Sequence, residues 1–291
     1  MQVLRYTAFT VDPAGGNPAG VVLDATGADD AAMLATAAEI GYSETAFLMP
    51  PQEPKEEKEE KGEAEGDSFG IRYFSPLAEV PFCGHATIAT AVAHAERHGV
   101  GTLRLRTQAG PVTVTTGSTG DGRVVATLVS VAPRSVLIPD RVLAELLAAL
   151  RWSGDELDPA LPPRVAYGGA WHPVIAVTGR ERLADLDYDF AALSELMDRE
   201  GWVTVDLVQR ESPTVFHARN PFPPGGVVED PATGAAAAAF GGYLRELGIV
   251  TPPADLTIHQ GHDMGRPSTI TVRVPEEPGS GIAVSGNAVP L

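Results

Sequence analysis

"EVPFCGHATIATAVAH", residues 79–94, returns in altered form as "EDPATGAAAAAF" at residues 229–240. Glu79 aligns with Glu229, Pro81 with Pro231, Gly84 with Gly234, Ala86 with Ala236 and Ala89 with Ala239, at a constant offset of 150 residues. In each copy a strand-like segment meets proline, then glycine, and opens into a helix. That recurrence reads as a duplicated fold whose halves each bring one turn to a shared site. The unmatched positions, His85 against Ala235 and Cys83 against Thr233, are where the chemistry of the two turns should differ.

The flanking elements repeat in the same order. "NPAGVVLDA" (17–25) is answered by "HPVIAVTG" (172–179), and "DDAAMLATAAEIG" (29–41) by "FAALSELMDREG" (190–201). "SETAFLMP" (43–50) is answered by "WVTVDLVQR" (202–210), and "IRYFSP" (71–76) by "TVFHARN" (214–220). Asp29 and Gly41 suit the two ends of the first helix. "DRVLAELLAALR" (140–151) is a helix added at the junction. Strands predominate, and each half has one long helix. The expected fold is α+β: two pseudo-symmetric domains, each a mixed, strongly curved β-sheet wrapped around a central helix, with a cleft between them. The boundary is expected after residue 130, giving domains 1–130 and 131–291. The final strand, read from "GIAVSG" (281–286), is a candidate to return to the first domain.

A chain of 291 residues is long enough for two such cores. Its net charge of −17 argues against nucleic acid as a partner. Part of that charge is local: "PPQEPKEEKEEKGEAEGDS" (50–68) holds eight acidic residues and three lysines. It has no apolar stripe, so the insertion 51–67 reads as a solvated loop, with a partner-binding arm as the alternative. No apolar run approaches the roughly 18 residues that span a membrane. "MQVLRYTAFTV" alternates like a strand and lacks a signal peptide's apolar centre, so a cytoplasmic location is expected. Cys83 is the single cysteine, which excludes intrachain disulfides and a cysteine-rich zinc site. No metal is expected at the site. Neither a P-loop nor a dinucleotide fingerprint follows a strand.

The repeated turns suit an anion. A helix opening directly after glycine leaves its first N–H groups unpaired and carries about half a positive charge. Gly84 and Gly234 put no Cβ in a ligand's way, and Ala86, Thr87, Ala235 and Ala236 keep the approach open. A small carboxylate, or the negative charge of an enolate-like intermediate, fits such a pair of turns. The alternative is two ordinary helix starts, with Thr233 as a cap and Asp230 as a turn former.

Three polar residues lie near these turns. Glu44 is an isolated carboxyl at the start of an apolar strand, where burial would equip it to give and take a proton; a strand-edge residue with its head in water is the other reading. His85 stands at the first turn and can donate or accept a hydrogen bond, in a structural role or a catalytic one. Asp230 precedes the second turn and could orient His85 or hold a substrate amine. The matched Glu79 and Glu229 suggest a shared structural duty, such as bonding the backbone N–H groups of the turn.

"GGNPAGVVLDA", "SETAFL", "RYFSPLAEVPFCGHATIATA", "GVVEDPATGAAA" and "QGHDMGRPS", in that order, resemble the PhzF-like family of phenazine-biosynthesis isomerases from Asp12 to Ser268. The resemblance implies the diaminopimelate-epimerase fold, a cofactor-free isomerase, and a homodimer. Its type member moves a proton between carbons of a dihydro-hydroxyanthranilate. Carried over by motif, the resemblance implies Glu44 as acid–base residue, with His85 and Asp230 as catalytic partners. Gly84, Thr233, Gly234 and Ala235 fall on the substrate-binding turns. Ala235 departs from the serine usual in the family, and the run that follows lacks a histidine many relatives carry, so substrate choice should differ. Two alternatives stand beside the isomerase. A binding or scaffold protein on the same fold would have lost the chemistry. A racemase or epimerase would need a thiol in each turn, and Thr233 stands where the second would be. Cys83 then reads as a small buried residue whose alkylation leaves activity intact unless the reagent itself blocks the cleft.

Overall fold

A computed structural model of the chain describes residues 1–50 and 67–291. The solvated loop expected over 51–67 therefore lies outside the described residues, except for Asp67, which opens a strand. In chain order the first elements are β1 (Leu4–Ala8), β2 (Asn17–Val22), α1 (Asp30–Ile40), β3 (Glu44–Met49), β4 (Asp67–Phe74), β5 (Glu79–Val80), α2 (Gly84–His98), β6 (Thr102–Thr107), β7 (Gly110–Ser118) and β8 (Val124–Val129). There follow β9 (Arg134–Leu137), α3 (Asp140–Leu150), β10 (Arg164–Tyr167), β11 (Trp171–Val177), α4 (Arg180–Ala184), α5 (Phe190–Glu200), β12 (Asp206–Arg210) and β13 (Val215–Phe222). The last are β14 (Val227–Asp230), α6 (Gly234–Glu246), β15 (Ala254–Gln260), β16 (Ser268–Val274) and β17 (Ala283–Pro290). Among the described residues no helix is long and apolar enough to cross a membrane.

The architecture is mixed α and β with strands dominant, and it divides into two compact units. Unit 1 is Met1–Val129 with Ser285–Leu291; unit 2 is Ser130–Val284.

In unit 1, β1 lies between β17 and β2, antiparallel to both. β2 and β3 are parallel, β3 and β4 antiparallel, β4 and β6 parallel, and β6, β7 and β8 antiparallel in turn. β8 pairs with β17, so the order returns to its start. α2 packs against β1, β2, β3, β7 and β8. It is buried from His85 to Ala95, which is why small residues fill every face of it rather than one stripe. α1 is capped as its sequence implies: Asp29 accepts from the Ala32 N–H at 2.8 Å, and Gly41 takes the left-handed conformation at φ 71°. Met33 and Ala37 of α1 meet Val22, Phe47 and Phe74 in one apolar cluster.

In unit 2, β9 and β10 are antiparallel, as are β10 and β11. β11 and β12 are parallel, β12 and β13 antiparallel, β13 and β15 parallel, and β15 and β16 antiparallel. β14 pairs with the far end of β13. One face of this sheet carries α3 and α5 over a core that includes Leu146, Trp152, Ile175, Leu193 and Trp202. α6 packs against β9, β10, β11 and β16. Its "GAAAAAFGG" run reflects how closely chain approaches it. A Cβ on Gly242 would lie 2.3 Å from Pro133, and one on Gly168 would lie 2.6 Å from the Ala239 nitrogen.

Some boundaries differ from those the sequence suggests. The strand read over 202–210 begins only at Asp206, because Trp202 folds back into the α3–α5 core. The last strand continues to Pro290 instead of stopping near Gly286.

Candidate active site

Unit 1 places Glu44, Cys83, Gly84 and His85 together. Glu44 is the first residue of β3, opposite Ala19 of β2. Cys83 is the N-cap residue of α2, and Gly84 and His85 open the helix. The Glu44 Oε2 lies 3.5 Å from His85 Nε2 and 3.5 Å from Cys83 Sγ. The thiol is also 3.3 Å from His85 Nδ1. These side chains are mostly withdrawn from solvent, His85 being 7% and Glu44 15% exposed. Ser43 Oγ reaches His85 Nε2 at 3.5 Å. The helix start is fixed from below: Thr87 donates to the Cys83 carbonyl at 2.6 Å, and the buried Tyr73 hydroxyl bonds Thr87 at 2.6 Å. Burial raises the Tyr73 phenol well above its ordinary range, so it stays protonated there.

Cys83 is buried, as expected, but it is no bystander. A group attached to its sulfur would crowd Glu44 and His85, the circumstance under which alkylation is expected to affect activity. Glu44, Cys83 and His85 each offer a ligand atom within 4.8 Å of the others, the chemical makings of a small cation site as well as of an acid–base cluster.

Unit 2 places Asp230, Thr233, Gly234 and Ala235 together. Asp230 ends β14, and Thr233 precedes α6. Thr233 does not cap the helix with its side chain; its hydroxyl donates to Asp230 Oδ2 at 2.5 Å. Gln260, at the end of β15 and buried, holds this turn at three points. Its Oε1 accepts from the Thr233 N–H at 3.0 Å, and its Nε2 donates to the Asp230 carbonyl at 2.7 Å and to Thr233 Oγ1 at 3.0 Å. Gly261, in the left-handed conformation, follows because a Cβ there would lie 2.7 Å from the Pro231 carbonyl.

Neither Cys83 nor Thr233, the residues before α2 and α6, caps its helix with its own side chain. Glu79 and Glu229 do share a duty, but with arginine instead of backbone N–H groups. Glu79 takes both Nε and Nη2 of Arg72 at 2.7 and 2.6 Å. Glu229 takes the same atoms of Arg219 at 2.9 and 2.5 Å. Ser43 and Gln260 went unassigned at the sequence level. "SET" and "QGHDMGRPS" both stood out as motifs, yet nothing in their spacing says which turn they hold.

The family profile described as "Phenazine biosynthesis-like protein" matches residues 6–291. An uncharacterised isomerase of Mesorhizobium japonicum is 35% identical, over 98% of this chain and 95% of its own length. The trans-2,3-dihydro-3-hydroxyanthranilate isomerase of Pseudomonas fluorescens is 30% identical, over 97% of this chain and 94% of its own. Among solved structures, a phenazine biosynthesis protein of the PhzF family from Bacillus anthracis superposes with a TM-score of 0.85 at 25% identity, covering 100% of this chain and 98% of that one.

Proposed function

Because the chain belongs to the phenazine biosynthesis-like family, we propose that it is an isomerase that moves a proton between carbons of a small unsaturated carboxylate. Glu44 is the general acid and base in this reading, and the reaction needs no cofactor. The observation that carries it is the cluster at the start of α2, where one carboxylate oxygen of Glu44 lies 3.5 Å from both His85 and Cys83. Glu44 takes a proton from a carbon made acidic by an adjacent unsaturated system and returns it elsewhere. General acid–base catalysis of this kind contributes about 10²–10⁴-fold, so orientation and charge stabilisation must supply the rest. We assign that part to the N–H groups opening α2 and α6, at Gly84, Gly234 and Ala235. Asp230, held by Thr233 and Gln260, positions the substrate's polar groups together with His85.

The strand pairings support a duplication, with each unit a sheet curved around one helix, α2 or α6. β2–β3–β4–β6–β7 and β11–β12–β13–β15–β16 share one series: parallel, antiparallel, parallel, antiparallel. Within it Asp206 stands opposite Val174 as Glu44 stands opposite Ala19. We take the protein to act in the cytoplasm as a homodimer, which sedimentation of the purified chain checks.

The test is NMR of substrate candidates in deuterated buffer, with the parent chain and Glu44→Gln side by side. The panel is unsaturated amino-carboxylates, trans-2,3-dihydro-3-hydroxyanthranilate among them. Deuterium should enter a substrate carbon with the parent at least about 100-fold faster than with the variant. Equal exchange in both removes Glu44 from the mechanism. Binding without exchange across the panel favours a scaffold, the reading that Ala235 motivates.

A further inference from the structure

Unit 2 carries a second cluster of chemistry-bearing side chains that the isomerase reading leaves unused. His217 on β13 stands directly opposite His259 on β15, two parallel strands, and their ring centres are 5.4 Å apart. His262 opens the short 3-10 turn His262–Met264 just beyond β15. Its ring centre is 5.4 Å from that of His259 and 6.4 Å from that of His217. Behind His217, Glu211 Oε2 lies 2.6 Å from Nε2. A carboxylate can only accept, so Nε2 carries a proton, and in the neutral ring the lone pair is on Nδ1. That Nδ1 is buried and has no hydrogen-bond partner, and the same holds for Nδ1 of His259. Two buried imidazole nitrogens without hydrogen-bond partners, on facing rings, are costly unless something fills the gap.

We propose that His217, His259 and His262 form a site for a divalent transition metal of the zinc, nickel and copper group, with Glu211 holding His217 by its other nitrogen. A histidine that donates one N–H to a carboxylate while its other nitrogen stays free is arranged as metal-bound histidines are. Imidazole nitrogens select these ions over magnesium or calcium. Arg180 faces His262, but both carboxylate oxygens of Asp263 engage it at 2.9 Å. His262 is exposed, so an ion can enter from solvent. Ligands about 2 Å from one tetrahedral ion stand about 3.3 Å apart. With ring centres 5.4, 5.4 and 6.4 Å apart the three nitrogens do not stand at that spacing as the side chains lie, so closing on the ion by side-chain rotation is part of the proposal. A bound ion would tie β13 and β15 to the turn beyond them, next to Gln260 and the turn it holds.

The experiment is calorimetric titration of the untagged full chain with nickel chloride and with zinc chloride. It is run in a Cys83→Ser background so that Glu44, Cys83 and His85 cannot compete. One ion per chain should bind. His259→Gln should abolish binding, and Glu211→Gln should weaken it about 10–100-fold. Copper loaded into the same site should show nitrogen hyperfine structure in its EPR spectrum. Should His259→Gln fail to fold, His262→Gln, on an exposed turn, must show the loss. The proposal is overturned if the Cys83→Ser chain takes up no ion, or if binding survives removal of His259 or His262.

Discussion

Asp206 and His172 show what burial does to single groups. Both lie within unit 2, joined by a chain of hydrogen bonds. His172 Nδ1 is 2.8 Å from Thr204 Oγ1, Thr204 donates to Asn220 Oδ1 at 2.7 Å, and Asn220 Nδ2 donates to Asp206 Oδ1 at 3.1 Å. Burial pushes Asp206 up to about 7 and His172 down to about 4. The folded chain thus keeps a proton on Asp206 that the unfolded chain releases. That contribution to stability is complete below about pH 4 and is lost as pH rises to about 7. His172 acts in the opposite sense: its contribution is complete above about pH 6.5 and is lost as pH falls to about 4. Each amounts to about 3–4 kcal/mol, so in the parent chain they largely cancel over the shared window. Single variants uncover them. Asp206→Asn should gain on the parent by about 4 kcal/mol between pH 4 and 7, and His172→Gln should lose about 3 kcal/mol over pH 4 to 6.5. Urea unfolding at half-unit pH steps measures both slopes, and flat differences would show that neither group holds the state assigned to it.

At the scale of elements, the two arginine–glutamate clamps fix β5 to β4 and β14 to β13, just before the helices that open the candidate site. They differ in depth. Arg219 and Glu229 are 10% and 3% exposed, Arg72 and Glu79 29% and 25%. Arg219→Met would strand a buried carboxylate and should cost about 3–5 kcal/mol. Arg72→Met should cost about 1 kcal/mol or less, since water can take over. Guanidinium denaturation of the two variants decides it, and equal losses would mean that burial does not set the value of the clamps. The turns themselves were legible in the sequence, because proline, glycine and the helix run recur at one offset. Their partners were not. Arg72 precedes its glutamate by seven residues and Arg219 by ten, so no constant spacing marks the pair. Gln260 comes from a strand that reaches the turn only through the parallel pairing of β13 with β15. The buried chain from His172 to Asp206 draws on segments 171–177, 204–206 and 220, and periodicity within any one of them is silent about it.

At the scale of the whole molecule, the element order and a mixed, strand-dominant α and β architecture were readable from alternation and helix punctuation. The extent of β17 was not. Its inward positions are Val284, Gly286 and Ala288, and the glycine breaks the apolar pattern because Phe9 occupies the space a Cβ would need, 2.4 Å away. This strand bridges β1 and β8, with the Phe9 N–H on the Asn287 carbonyl at 2.7 Å and Asn287 Nδ2 on the Val124 carbonyl at 2.8 Å. Removing residues 285–291 should therefore strip hydrogen-exchange protection from β1 and β8. The α3–α5 core of unit 2 should stay protected, since all of its residues lie within Ser130–Val284. Retained protection in β1 would mean that unit 1 closes without its last strand.

The same strand sets an order of events during folding. Unit 2 is one continuous stretch, Ser130–Val284, so it holds all of its strands without the segment that completes unit 1. Unit 1 is split in sequence, and until Ser285–Leu291 arrives the edges of β1 and β8 stay unpaired. Unpaired edges invite the wrong partner. The unit that opens the chain cannot close until a strand from beyond the other unit reaches it.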